Sequence, residues 1–482
     1  MSFIQPPLKH DLQYTADTAQ LFARVSHQPW AMFLDSGYPQ SQYGRYDIFV
    51  ADPFVTISTV ENGAESQNTY TEIVQNGEKT ISHDDPFAIL NSLLAPYQAA
   101  QNALPFTGGA VGYFGYDLAR QVEHLPNIAL KNDALPHMMV GIYDWAVVVD
   151  HREKTACLVS HGFQQSTHQN WSALCALFDA HAEAAIETDV DPRQAAFTLM
   201  SDVTSNMDFK QYAKAFDAVK HYIAEGDCYQ VNLAQRFSAR AHGDGWIAYQ
   251  KLREISPAPF MAYMNFGGLQ VLSGSPERFL QLTDKHVETR PIKGTRPRSD
   301  DVLQDQSYAQ ELQQSIKDKA ENLMIVDLLR NDISKNCEIG SVKADKLFQL
   351  QSFANVHHLV SIITGKLKQG KTAIDLLRGC FPGGSITGAP KLRAMQIIEE
   401  LEPNRRGVYC GAIGYVGFDG NMDTNIAIRT AMYATDDNGE GEVSFYAGGG
   451  VVADSILEKE FDETLDKASS LLKTMQYFKP SH

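Results

Sequence analysis

The strongest constraint on this chain of 482 residues is a succession of short β-branched and aromatic runs cut by turn formers, without the strict strand–helix alternation that builds a parallel sheet. Tyr46–Val50 with Phe54–Ser58, and Ala146–Asp150 with Ala156–Ser160, read as hairpins, each pair parted by Pro, Asp or charged residues. The first long helical pattern is Trp171–Ile186. After it the polar stretch Glu187–Gln194, in which Pro192 opposes continuation of a helix, marks a connection.

Further on, Asp208 precedes a helix with Tyr212, Phe216, Val219 and Ile223 on one face and Gly226 at its end, a start cap and a C-terminal glycine. Pro259–Glu288 is strand-rich, and Gln306–Asp332 reads as one long helix. Glycine-rich turns are expected at Pro382–Gly388 and Gly448–Gly450, among a helix at Lys391–Leu401, strands at Val408–Val416 and Asn425–Tyr433, and a final helix at Leu457–Met475. Elements mixed in this way predict an α+β fold with antiparallel sheets.

At 44% apolar and 21% charged residues, the chain is ordinarily globular. Lys plus Arg number 41 against 58 Asp plus Glu, a net charge of −17, which argues against nucleic acid as a partner because phosphate backbones are gripped by clustered basic side chains. Apolar stretches such as Trp145–Val149 and Ile325–Leu329 fall far short of the ~20 residues of a bilayer helix, so no membrane partner is expected. The opening MSFIQPPLKHDLQYT lacks a signal-peptide profile, and six cysteines stand singly with no C-x-x-C pair. A cytoplasmic location with free thiols is the expectation.

Asp318 and Glu321 lie three apart in one predicted helix, and Glu460 and Glu463 three apart in another, so each pair shares a helical face. Such pairs repel themselves unless a cation intervenes, and Mg²⁺ is commonly bound by one or two carboxylates, waters and an anionic substrate; a solvated acidic face is the other reading. Lys293, between Pro291 and Gly294, is placed to approach a small molecule, and becomes a nucleophile if burial or Arg290, Arg296 and Arg298 make it neutral; an exposed basic loop is the alternative. Glu277, after Pro276 and beside Arg278, suits a general acid at a strand end, or a surface ion pair. The loop Gly383–Lys391 before a helix offers N–H groups to a carboxylate or phosphate without Walker spacing, and Ala447–Gly450 would let a ligand approach the backbone. His357-His358 lacks a metal-like partner at helical spacing.

In order, GDCYQVNLAQRF (226–237), SPERF (275–279), RPIKGT (290–295), AENLMIVDLLRNDI (320–333), HHLVS (357–361), GGSITGAPKLRAM (383–395), GAIGY (411–415), MDTNIAIRT (422–430) and AGGGVVADS (447–455) resemble the chorismate-utilising enzyme family. The resemblance is dense over 205–475 and thinner through LDSGYPQSQYGRYDIFVADP (34–53). It implies two antiparallel sheets packed face to face between helical layers, with 1–190 as an anthranilate synthase component I-like region and 205–475 as the chorismate-binding catalytic domain.

The resemblance also implies roles. Glu321 and Glu463 match direct Mg²⁺ ligands, and Asp318 and Glu460 the pair holding metal-bound waters. Lys293 matches the lysine that attacks C2 of chorismate, and Glu277 the acid that protonates the departing C4 hydroxyl. Tyr415, Arg429, Gly450 and Lys467 match positions gripping substrate carboxylates, and Gly294, His358 and Ser385 other pocket positions. Ser36, Tyr43 and Arg45 fall where relatives build a tryptophan-sized pocket; LDSG in place of LLES-like strings speaks against inhibition while leaving tryptophan as a bound ligand.

Relatives that aminate C2 to anthranilate normally carry alanine at the position of Lys293, and those that add water carry lysine at the position of Gln230. Lys293 with Gln230 therefore favours amination at C4 to 4-amino-4-deoxychorismate, a step toward 4-aminobenzoate and folate. Anthranilate formation, or a tryptophan-binding homologue without chemistry, are the alternatives. No G-x-C-x-G elbow is present, so ammonia is expected from solution or a separate glutamine amidotransferase subunit.

Overall fold

A computed structural model describes residues 8–41, 44–61, 69–131, 135–179, 196–352, 356–436 and 438–480. These form two sheets, of 13 and 12 strands, whose neighbours run antiparallel. Strands from before and after residue 190 pair within each: Ala31–Asp35 with Phe260–Asn265 in the larger sheet, and Gly109–Phe114 with Ala412–Gly417 in the smaller.

The strands Trp145–Asp150 and Thr155–Ser160 form the expected hairpin. Tyr46–Val50 and Val55–Glu61 do not pair with each other; they belong to different sheets, against Ala31–Asp35 and Met138–Tyr143 respectively. The connection turns at Asp52 (φ 56°) before Pro53 and carries the chain across. A period-two run marks a strand without choosing its neighbour. The same crossing recurs at Asp144, at Pro276–Glu277 and at Ala427–Arg429. The stretch expected as one strand over Asn425–Tyr433 is thus two, Met422–Ile426 in one sheet and Thr430–Thr435 in the other.

Ile48, Val50, Ala146 and Val148 face one core with Ile57, Val111 and Ile413 of the opposite sheet, while Phe49, Val147 and Val149 face a second core with Phe22, Trp246 and Leu471. Both faces of these strands are covered, which is why Trp145–Asp150 is an unbroken buried run. Each fully buried Val or Ile there contributes about 1.5–3 kcal/mol.

The helix Phe209–Ala224 begins with a capping box between Asp208 and Gln211 and buries Tyr212, Phe216 and Val219 against Val231, Leu233 and Ile397. The long helix expected over Gln306–Asp332 is two helices, Val302–Gln314 and Ile316–Ser334. Ser315, at ψ 111°, ends the first, and its Oγ accepts the Asp318 N–H at 3.1 Å to start the second. The break sets Asp318 in the first turn of a redirected helix. Gly448–Gly450 is not a turn but part of strand Glu440–Val451, paired with Asn232–Ala234. The strand expected from Val408 begins at Ala412. The helix Gln165–Asp179 covers the start of the pattern read at Trp171–Ile186; the rest of that pattern and the connection with Pro192 lie outside the described residues.

Candidate active site

Lys293, Glu277 and both acid pairs line one cavity of about 640 Å³, walled by strands of both sheets and by the helices Ile316–Ser334 and Leu457–Tyr477. Gly294, His358, Ser385, Arg429, Gly450 and Lys467 line it too. Local backbone features explain how these distant residues arrive together. Ile292 pairs with Val360 and Thr295 with His358, so the strand holding Lys293 carries one extra residue, a β-bulge that re-aims its side chains. Gly294 in that bulge has φ 83°, and a Cβ there would stand 2.8 Å from Leu312 and 3.0 Å from Asp318. Glu277 and Arg429 sit on crossings between the sheets, Arg429 at φ 50°. The three-residue spacing of each acid pair turns both members toward the cavity. Gly449 lets the last helix lie close: a side chain there would begin 3.0 Å from Glu460 Oε2 and 3.6 Å from Glu463 Oε1.

Burial pushes the carboxyl of Glu277 up to about 7, against the Ser385 hydroxyl, which donates to its Oε1 at 3.1 Å, and against Lys293 and Lys467. Lys293 moves the other way: burial and the nearby charge of Lys467 lower it, while Glu321, Glu277 and Glu463 oppose. His358 is pushed down to about 4 by burial and Arg429, so the ring is neutral at pH 7, with Nδ1 2.9 Å from Thr295 Oγ1. Burial alone lowers Arg429. Glu321 and Glu460 are raised by burial. For Glu463 burial acts upward too, but Lys467 at 2.5 Å brings the net shift below the ordinary value. Lys317 lies 3.8 Å from both Glu321 and Asp454, and Arg296 bonds Asp318 at 3.2 Å.

Among the described residues no three His, Cys, Asp or Glu side chains converge closely enough to cage a metal by themselves. Two oxygen-only pairs facing a cavity, with Glu460 Oε2 buried and without a hydrogen-bond partner among the described residues, suit Mg²⁺, which keeps waters and accepts oxygens from an anionic ligand.

Tyr415 is the exception among the expected residues. Its ring packs on Phe106 at 5.0 Å and lines a second cavity, of about 430 Å³, with Ser36, Arg45 and Asp423. Tyr409, in the turn before the strand Ala412–Gly417, lines the first cavity instead, stacked on Tyr446 at 5.3 Å and 11°. The motif GAIGY (411–415) points to Tyr415 alone, and Tyr409 precedes it in the turn that leads into the strand. Asn232, Thr295, Lys317 and Asp466 also line the first cavity without a sequence signal that singled them out.

In the second cavity Ser36 Oγ donates to Asp47 Oδ1 at 2.6 Å and Arg45 binds Asp150 at 2.8 Å; Tyr43 lies outside the described residues. The loop Gly383–Lys391, expected as an anion cradle, meets the first cavity over part of its length. Of that loop Ser385 and Ile386 reach it, Gly388–Ala389 pair with Gln230–Val231, and the Lys391 ammonium binds Asp332 at 2.6 Å and the Cys380 carbonyl at 3.0 Å. The Gln230 carboxamide is buried against Gly450, with neither amide atom hydrogen-bonded among the described residues. His357 bonds Asp305 and Ser352, a packing role.

A family model for a chorismate binding enzyme matches residues 46–473. The chain belongs to the chorismate-binding enzyme family. This chorismate-utilising enzyme is 47% identical over 470 residues to aminodeoxychorismate synthase component 1 of Escherichia coli (strain K12), covering 96% of its own length and 98% of that protein. It is 33% identical over 494 residues to anthranilate synthase component 1 of Geobacillus stearothermophilus, covering 98% and 94%. The crystal structure of anthranilate synthase component I from Streptococcus pneumoniae TIGR4 superposes with a TM-score of 0.75 at 30% identity, covering 89% of this chain and 92% of that one, and shares the two-sheet α+β architecture. Among the described residues no helix is long and apolar enough to cross a membrane.

Proposed function

We propose that this enzyme aminates chorismate at C4 with ammonia, forming 4-amino-4-deoxychorismate for 4-aminobenzoate and folate synthesis. The observation that carries this reading is Lys293 and Glu277 in one cavity with their pKa values displaced in opposite directions, the lysine toward a neutral amine and the acid up to about 7. The 47% identity to an aminodeoxychorismate synthase component supports C4 over C2, as does lysine at position 293.

Chorismate is a dianion with a poorly departing C4 hydroxyl. Arg429 and Lys467 offer cationic partners to its carboxylates. Protonated Glu277, held by Ser385, gives its proton to the C4 oxygen so that water leaves, while the neutral Lys293 amine attacks C2 and both ring double bonds shift, from C1=C2 to C1=C6 and from C5=C6 to C4=C5. Ammonia then attacks C4, the C2–nitrogen bond breaks, and Lys293 departs as the amine once a proton has passed to it from the incoming nitrogen. Mg²⁺ held by Glu321 and Glu463, with Asp318 and Glu460 on its waters, would polarise the ring carboxylate. Ammonia would come from a separate glutamine amidotransferase subunit. A distinct reading concerns the second cavity, which Ser36 and Arg45 line: a tryptophan bound there is tested by native mass spectrometry of the purified protein.

The main reading is tested by product identification after mixing the protein with chorismate, Mg²⁺ and an ammonium salt. The expected product is 4-amino-4-deoxychorismate, and anthranilate alone would refute the assignment.

A further inference from the structure

Glu460 is tied at one oxygen and open at the other. Its Oε1 accepts the Ser455 hydroxyl at 2.6 Å, whereas Oε2 is buried without a partner among the described residues. Ser455 belongs to the tight connection between strand Glu440–Val451 and helix Leu457–Tyr477. Its Oγ accepts the Val452 N–H at 3.0 Å, and its own N–H donates to the Val452 carbonyl at 3.1 Å. One hydroxyl thus joins the backbone of the turn to the carboxylate.

The turn is in turn gripped from another element. The Lys220 ammonium, on helix Phe209–Ala224, donates to the carbonyls of Ala453, of Val452 at 3.4 Å and of Ser455 at 3.3 Å. Three N–H donors meeting three carbonyls of one turn match the full capacity of an ammonium group. Two steps of hydrogen bonding therefore link a distant helix to the acid cluster.

We propose that Ser455, with Lys220 behind it, is a positioning residue for the cation site: by fixing Oε1 it leaves Glu460 a single orientation in which Oε2 meets the cation's shell. This rests on the reading of the four acids as a Mg²⁺ site. Partners that orient ligating groups are typically worth 10–100-fold in metal affinity. Neither residue touches the reacting atoms, so both act through Glu460.

The test is Mn²⁺ binding to the full chain in the absence of chorismate, by calorimetry or by electron paramagnetic resonance of the free ion. Ser455→Ala is expected to bind about 10–100-fold more weakly while staying folded at the temperature of the measurement, with a melting temperature lowered by the loss of two buried hydrogen bonds. Ser455→Thr, which keeps the hydroxyl, should recover most of that loss, and Lys220→Met should fall between. Parent-like affinity in Ser455→Ala overturns the positioning role while the cation site stands. If Ser455→Ala does not fold, parent-like affinity in Lys220→Met overturns the linkage instead. A parent protein that binds no divalent cation yet still makes product removes the cation reading and this proposal together.

Discussion

The two cavities differ in how their polar groups are satisfied. Around the second, Asp47 takes the hydroxyl and N–H of Ser36 and lies 2.7 Å from His151 Nε2, while Asp35 takes Tyr249, Arg253 and the Gly37 N–H. That network closes on itself. At the first, Glu460 Oε2 has no partner among the described residues, and no acid offsets the effect of burial on Arg429. Closed networks stiffen a wall, whereas buried groups without partners carry a desolvation cost that a ligand relieves. The contrast makes the first cavity the candidate for chemistry and the second a closed framework.

The largest effect should come from Lys293→Ala, which is expected to abolish turnover to the 4-amino product together with any covalent adduct; an intact-mass adduct persisting in that variant would sink the nucleophile role. Glu277→Gln should lower kcat by about 10²–10⁴-fold. Because the carboxyl sits near 7 and must be protonated to act, the parent's kcat should decline above about pH 7, and Glu277→Gln should lose that limb. The same group bears on stability. Its folded value lies above its unfolded one, so the stabilisation is complete below the unfolded value and lost as pH rises through about 7; melting curves of the Gln variant should be flatter over that window.

Glu321→Ala should raise the Mg²⁺ concentration needed for half-maximal rate by about 10-fold or more, and an unchanged requirement would remove Glu321 from the cation site. The smallest effect on rate belongs to Ser36→Ala, expected to leave turnover within about twofold while costing roughly 1 kcal/mol of stability through the lost hydrogen bond to Asp47. A loss of activity there comparable to that of Glu277→Gln would break the division between the cavities.

Much of the site was legible because it is written in local spacing. Asp318 with Glu321, and Glu460 with Glu463, share helical faces whatever the fold, and Lys293 beside Gly294 announces an unusual backbone, here a bulge. What escaped depends on partners far along the chain. Ser315 looks like an ordinary helix residue until its hydroxyl caps Asp318, so one helix was expected where two stand. Arg429 lies inside an apparently continuous strand, yet the chain changes sheets there. The string GAIGY (411–415) singles out Tyr415, yet the strand that starts at Ala412 carries Tyr415 to the second cavity and leaves Tyr409, ahead of the string, on the first. The run at Tyr46–Val50 gave the strand but not its neighbour, since alternation is silent about which sheet receives it.

The pairing of Gly109–Phe114 with Ala412–Gly417 has a consequence for how the protein is born. A ribosome emits these strands about 300 residues apart, so at roughly 5–20 residues per second the earlier one waits some 15–60 seconds for its partner. Through that interval the nascent first half carries raw strand edges of the sort that recruit other chains. Fragments divided near residue 190 would each inherit such edges, and would gain activity only by reassembling on one another.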